Sequence, residues 1–180
     1  MASSPLYQFL KWEKENPDRI FLRQPINGVW KTWTWVQAGV EARRIARSFL
    51  SLGLKEGDHI AILSKNCAQW IIADIAIMMA GCVSIPIYPT LSAAAIEPIL
   101  IHSESKAIII GKLDDFTSQT NGIPQNMIRI GVSAYGMKEK FTVEELIDKN
   151  EPLVNFYSWK KDEILTIIYT SGTTGNSKGV

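Results

Sequence analysis

The strongest constraint on the fold lies between residues 34 and 110, where helical periodicity and short apolar runs alternate three times. Thr34-Trp35-Val36-Gln37 has the pattern of a capping box, with Gln37 placed to reach back to the Thr34 amide. In the helix that follows, Ala38, Ala42, Ile45, Phe49 and Leu52 share one face, and Gly53 is placed to end it. Arg43, Arg44 and Arg47 lie off that face beside Glu41 and read as a solvated surface. His59–Leu63 reads as a strand, and Ser64 or Asn66 can cap a buried helix over 67–80. A buried strand over 83–87 follows, then a helix from about Ser92 to His102 and a strand at Ala107–Ile110. Pro98 removes a backbone donor inside that helix and predicts a kink or a restart. Helices alternating with strands that are apolar throughout specify α/β: a mostly parallel sheet covered by helices on both faces. In such sheets ligands gather at the carboxyl ends of the strands.

The flanking segments are simpler. Ser4 and Pro5 open a first helix that Asn16-Pro17 ends. Ile20–Arg23 and Val29–Trp33 read as a small hairpin around Asn27-Gly28. Lys112–Asn126 is polar and reads as a surface loop, Met127–Ile130 as a strand, and Val143–Lys149 as a short helix capped by Thr142. Ile164–Tyr169 is an apolar, strand-like run that leads into a loop rich in glycine, serine and threonine.

Charge excludes several functions. Nineteen Lys and Arg against eighteen Asp and Glu leave a net charge of +1, with no field to draw nucleic acid or an anionic membrane. Cys67, Cys82, His59 and His102 lack the paired spacing of a zinc cluster, and buried thiols in a reducing cytoplasm are expected. The segment Trp70–Tyr88 is nearly long enough for a bilayer span, but Asp74, Gly81 and Pro86 interrupt it. The first residues lack a basic and an apolar region, Ala2 stands where myristoylation needs glycine, and no prenylation box is present. The expected location is the cytoplasm, with peripheral contact at a membrane left open.

The chemistry is concentrated in residues 169–180, Tyr-Thr-Ser-Gly-Thr-Thr-Gly-Asn-Ser-Lys-Gly-Val. Thr170, Ser171, Thr173 and Thr174 supply hydroxyls, and Gly172, Gly175 and Gly179 allow close backbone approach. Lys178 adds one mobile cation. Hydroxyls, exposed amides and a lysine together suit a polyphosphate. A flexible linker needs neither the preceding apolar strand nor a lysine between glycines. A Walker A loop fails: counted from Gly172, its second glycine falls on Ser177 and its hydroxyl on Gly179. The dinucleotide pattern fails at Thr174.

This loop resembles the phosphate-binding signature of the adenylate-forming superfamily: acyl-CoA synthetases, firefly-type luciferases and peptide-synthetase adenylation domains. It departs from that signature only at Ser177, where the family usually has proline. Gly81-Cys82-Val83-Ser84-Ile85-Pro86-Ile87-Tyr88-Pro89-Thr90 is similar to the family's second conserved block, and Thr32-Trp33-Thr34-Trp35 to its first. His102-Ser103-Glu104-Ser105-Lys106 looks like the stretch before the next family strand. The Ile-Pro-Ile-Tyr-Pro-Thr form is closest to the long-chain fatty acid CoA ligases, whereas Pro98 departs from that family's helix.

The resemblance implies that residues 1–180 form the N-terminal portion of a large AMP-binding domain. It implies ATP-dependent activation of a carboxylic acid, a long-chain fatty acid foremost, and then thioester formation with coenzyme A. Thr170, Ser171, Gly172, Thr173, Thr174, Gly175 and Lys178 would bind the ATP phosphates, and Thr174 would touch the Mg²⁺ shell. Catalytic residues and the adenine, ribose, acyl and coenzyme A sites would lie outside these residues. The chain alone is therefore expected not to turn over, and to self-associate through an exposed sheet edge. An aryl or amino acid substrate, or a nucleotide-binding module without chemistry, are the competing readings.

Overall fold

The computed structural model describes residues 4–171 and 177–180, apart from the side chains of Ser171 and Ser177. In chain order the elements are α1 (Pro5–Glu15), β1 (Ile20–Ile26), β2 (Val29–Thr34), α2 (Trp35–Ser51), β3 (His59–Leu63), α3 (Ala68–Met79), β4 (Val83–Ile87) and α4 (Ala93–His102). Then come β5 (Ala107–Ile110), α5 (Phe116–Thr120), β6 (Ile128–Gly131), β7 (Phe141–Thr142), α6 (Val143–Lys149), β8 (Tyr169–Ser171) and β9 (Ser177–Gly179). β1 and β2 form the expected hairpin, turned by Asn27 and Gly28 with φ of 51° and 79°.

The central sheet has five parallel strands in the order β4-β3-β5-β6-β7. Alternation along each strand sends side chains to two separate cores. Ile60 and Ile62 of β3 join the core formed by α2 and α3, whereas Ala61 and Leu63 join the core under α4. The predicted apolar face of α2 is buried at Ala38, Ala42, Ile45 and Phe49. α4 buries Ile96, Ile99 and Leu100 on the opposite face of the sheet, a contribution of roughly 1.5–3 kcal/mol per side chain. The segment with the length of a membrane span is α3 turning into β4, and no described helix is long and apolar enough to cross a membrane.

Local chemistry explains most of the element ends. Thr34 and Gln37 form both halves of the capping box. Ser4 and Thr142 accept from the Tyr7 and Glu145 amides, capping α1 and α6 as expected. α2, α3 and α4 share one C-terminal geometry: the two residues after the cap donate back across the last turn. Gly53 and Leu54 bond Leu50 and Phe49, Gly81 and Cys82 bond Met78 and Ile77, and Glu104 and Ser105 bond Ile101 and Leu100.

Several expectations are corrected. Neither Ser64 nor Asn66 caps α3; Cys67 occupies the cap without a side-chain bond, and Gln24 Oε1 accepts from the Ala68 amide at 3.3 Å. α4 runs unbroken through Pro98, so the helix does not restart there. The polar stretch 112–126 contains α5, capped by Asp115. Arg43 and Arg44 are not a solvated face: Arg43 makes a bidentate pair with Glu13 at 2.6 Å, and Arg44 donates to the Ile147 carbonyl. The run 164–169 is a strand only from Tyr169, preceded by a single parallel bridge between Thr166 and Ser84.

Candidate functional site: a hairpin at the edge of the sheet

The chain approaches the glycine-rich loop alongside β4. The Ser84 amide donates to the Leu165 carbonyl and the Ile167 amide to the Ser84 carbonyl, both at 3.0 Å. The bridge is parallel, so the chain leaves it heading toward the carboxyl ends of the central strands, where ligand loops gather.

Beyond the bridge, β8 and β9 pair antiparallel with Tyr169 opposite Gly179, Thr170 opposite Lys178 and Ser171 opposite Ser177. Ile168 and Val180 extend the ladder by donating to each other's carbonyls at 2.9 Å. Tyr169 is buried in the core under α4, whereas Thr170 and Lys178 are exposed. Because alternate residues face opposite sides, a buried Tyr169 sends Thr170 and Lys178 outward together. A methyl group on Gly179 would sit 2.9 Å from Ile167 Cγ2 and 3.2 Å from the Tyr169 ring, so glycine lets the return strand cross the tyrosine.

Of the predicted phosphate-binding residues, Thr170 and Lys178 are thus brought face to face, and the Ser171 backbone lies in the same ladder. Gly172, Thr173, Thr174 and Gly175 lie outside the described residues, as does any contact of Thr174 with a metal shell. Among the described residues no three His, Cys, Asp or Glu cluster to hold a metal.

Sequence reasoning missed the groups that hold this end of the sheet. Tyr169 Oη lies 2.7 Å from His102 Nδ1 at the end of α4, and the rings meet edge-on at 83°. Burial raises the Tyr169 pKa, so the phenol keeps its proton at neutral pH. Gln119 Nε2 donates to the Pro89 and Leu91 carbonyls at 2.8 and 2.9 Å, fixing the loop after β4. The contact from Tyr169 to His102 spans 67 residues of chain, and no local pattern announces it. The strand order reverses between β3 and β5, yet their carboxyl ends are tied together. Ser64 Oγ accepts from the Lys112 amide at 2.9 Å, and the Lys65 amide donates to the Lys112 carbonyl at 2.8 Å. A cleft of about 650 Å³ between the β1–β2 hairpin, α2, α3 and α6 includes no described residue of the β8–β9 hairpin. The chemistry of hydroxyls, amides and lysine, rather than cavity size, marks the site. Cys82 is buried, and burial together with Asp58 and Glu56 pushes its thiol up to about 12, so it is no nucleophile.

The chain is similar to known proteins both along its sequence and in its fold. The chain is 30% identical over 174 residues to the long-chain-fatty-acid–CoA ligase FadD15 of Mycobacterium bovis, covering 93% of this chain and 29% of the relative. It superposes on the N-terminal domain of FACL13 from Mycobacterium tuberculosis with a TM-score of 0.76 and 24% identity, over 97% of this chain and 43% of that one. The o-succinylbenzoate coenzyme A synthetase of Bacillus subtilis, in complex with AMP, superposes with a TM-score of 0.74 and 23% identity, over 96% of this chain and 40% of that one. The profile of the family described as AMP-binding enzyme matches residues 9–180, and the chain belongs to that family.

Proposed function

We propose that residues 1–180 are the N-terminal portion of a large AMP-binding domain in a fatty acyl-CoA ligase, and that the β8–β9 hairpin holds the β- and γ-phosphates of MgATP. The observation that carries this reading is the register that sets exposed Thr170 opposite exposed Lys178 at the mouth of the glycine-rich loop. Lys178 supplies the positive charge, Thr170 and Ser171 supply hydroxyl donors, and Gly172, Thr173, Thr174 and Gly175 complete the loop. Thr174 is the residue we assign to the Mg²⁺ that accompanies ATP.

The reaction has two steps. A carboxylate oxygen attacks the α-phosphorus, the bond to the β-phosphate oxygen breaks, and pyrophosphate leaves with the electron pair. The thiol sulfur of coenzyme A then attacks the acyl carbon and loses its proton to solvent, the bond from that carbon to the phosphate oxygen breaks, AMP leaves with the electron pair, and a thioester remains. In the first step charge grows on the leaving phosphates, where fixed donors lower the barrier most. These residues bind and orient the leaving group; the chain spans 29% of the length of FadD15, and we assign the acyl, adenine and coenzyme A sites to the remainder.

A fatty acid is favoured over an aryl acid by the names of the relatives matched along the sequence, FadD15 among them. The test supplies full-length protein with MgATP, coenzyme A and separately palmitate, benzoate or an amino acid, and reads products by mass spectrometry. Palmitoyl-CoA and AMP are expected. A thioester from benzoate alone would refute the fatty acid, and ATP hydrolysis to ADP without thioester would refute the reaction class.

A further inference from the structure

The exposed groups of the hairpin are set by a residue that has no part in binding phosphate. We infer that His102 is a positioning residue: its contact with Tyr169 locks the register of β8 on β9 and thereby aims Thr170 and Lys178. The inference rests on the proposed role of the hairpin.

A strand one residue out of register turns every side chain to the other face. A short ladder bounded by glycine-rich sequence specifies its own register weakly, so something outside it must hold one side chain in place. Tyr169 is that side chain: it is 4% exposed, packs with Ile85 and Ile87 of β4, and lies under Gly179 of the return strand. Apolar packing alone leaves the buried phenolic oxygen to find a partner. His102 Nδ1, at 2.7 Å, is that partner, and one hydrogen bond joins them whichever atom carries the proton. His102 belongs to the last turn of α4, whose Ile96, Ile99 and Leu100 are buried, so the anchor sits on a rigid element. His102 is itself exposed, which separates its role from core packing. A slipped Tyr169 would lose this bond and would turn Lys178 toward the core.

The test compares His102→Leu, which removes the bond, with His102→Asn, whose amide replaces Nδ1. On the chain itself, amide exchange at Ile168 and Val180 reports the ladder. It is expected to accelerate about tenfold in His102→Leu and to return to within about threefold of wild type in His102→Asn. Amides of β3 and β5 are expected to stay unchanged in both. In full-length protein, kcat/KM for ATP is expected to fall about tenfold in His102→Leu with kcat sharing the loss, because the misaimed donors face the charge that grows on the leaving phosphates. Wild-type exchange rates in His102→Leu would overturn the inference, as would an unchanged kcat/KM or a His102→Asn variant as impaired as leucine. If the wild-type protein shows no ATP-dependent activity, the proposed function fails instead, and amide exchange still decides what His102 does.

Discussion

Replacing Gly81 by alanine separates two costs that the fold keeps apart. Gly81 follows the cap of α3 with φ of 74°, a conformation that costs an L-residue about 1–2 kcal/mol. Gly53 follows the cap of α2 with φ of 89° and the same pair of back-bonds, so the backbone cost is shared. Their surroundings differ. A methyl group on Gly53 meets nothing within 4 Å, whereas one on Gly81 lies 2.9 Å from Tyr157 Cγ and 3.0 Å from its Cβ. Tyr157 cannot easily retreat: its amide donates to the Met79 carbonyl at 3.0 Å and its hydroxyl to Glu163 Oε1 at 2.8 Å. Overpacking of this kind adds about 1–3 kcal/mol. Gly53→Ala is therefore expected to cost about 1–2 kcal/mol and Gly81→Ala about 2–5 kcal/mol. Urea unfolding of the two variants at constant slope measures the difference directly. Equal losses in both variants would refute the claim that Tyr157 is seated against Gly81.

Four further outcomes follow from the same geometry. Glu104→Gly is expected to stabilise the chain by about 0.5–1 kcal/mol in urea unfolding, because Glu104 holds φ of 51° after the cap of α4. Thr34→Ala is expected to cost about 1 kcal/mol in the same assay through loss of the α2 cap. Burial raises the Glu41 pKa, with Glu144 adding to the rise, although Trp33 Nε1 donates to the carboxylate at 2.9 Å. The folded state thus holds its proton more tightly than the unfolded chain, and stability falls as pH rises from the unfolded pKa through the folded one. Glu41→Gln keeps an acceptor for Trp33 and cannot ionise, so its advantage over wild type in thermal melts should widen across that interval and vanish below about pH 4. Lys178→Ala is expected to leave the melting temperature within about 1 °C of wild type, because Lys178 is exposed and lies at the end of the hairpin.

What the sequence discloses and what it hides divide along chain separation. The α2 face and the Thr34 cap are local: their residues lie within a few turns, so spacing and chemistry reveal them. The parallel sheet is legible because β3, β4 and β5 are apolar but for His59 and Ser84, as suits strands covered on both faces. The cap of α3 is hidden because Gln24 reaches Ala68 across 44 residues. Arg43 looks solvated until Glu13 of α1 arrives, and 164–168 looks like a strand although only Thr166 bridges Ser84. At the candidate site the glycines, hydroxyls and Lys178 are legible as a phosphate loop. The register that faces Thr170 to Lys178, and the His102 contact that holds it, depend on tertiary packing.

The central claim is that the β8–β9 hairpin holds the phosphates of ATP. Its most direct test is a calorimetric titration of the full-length protein with MgATP, wild type against Lys178→Ala. One charge-assisted contact to phosphate accounts for about a tenfold or larger loss of affinity in the variant. Equal affinities in the two proteins, or no heat of binding in the wild type, would contradict the account.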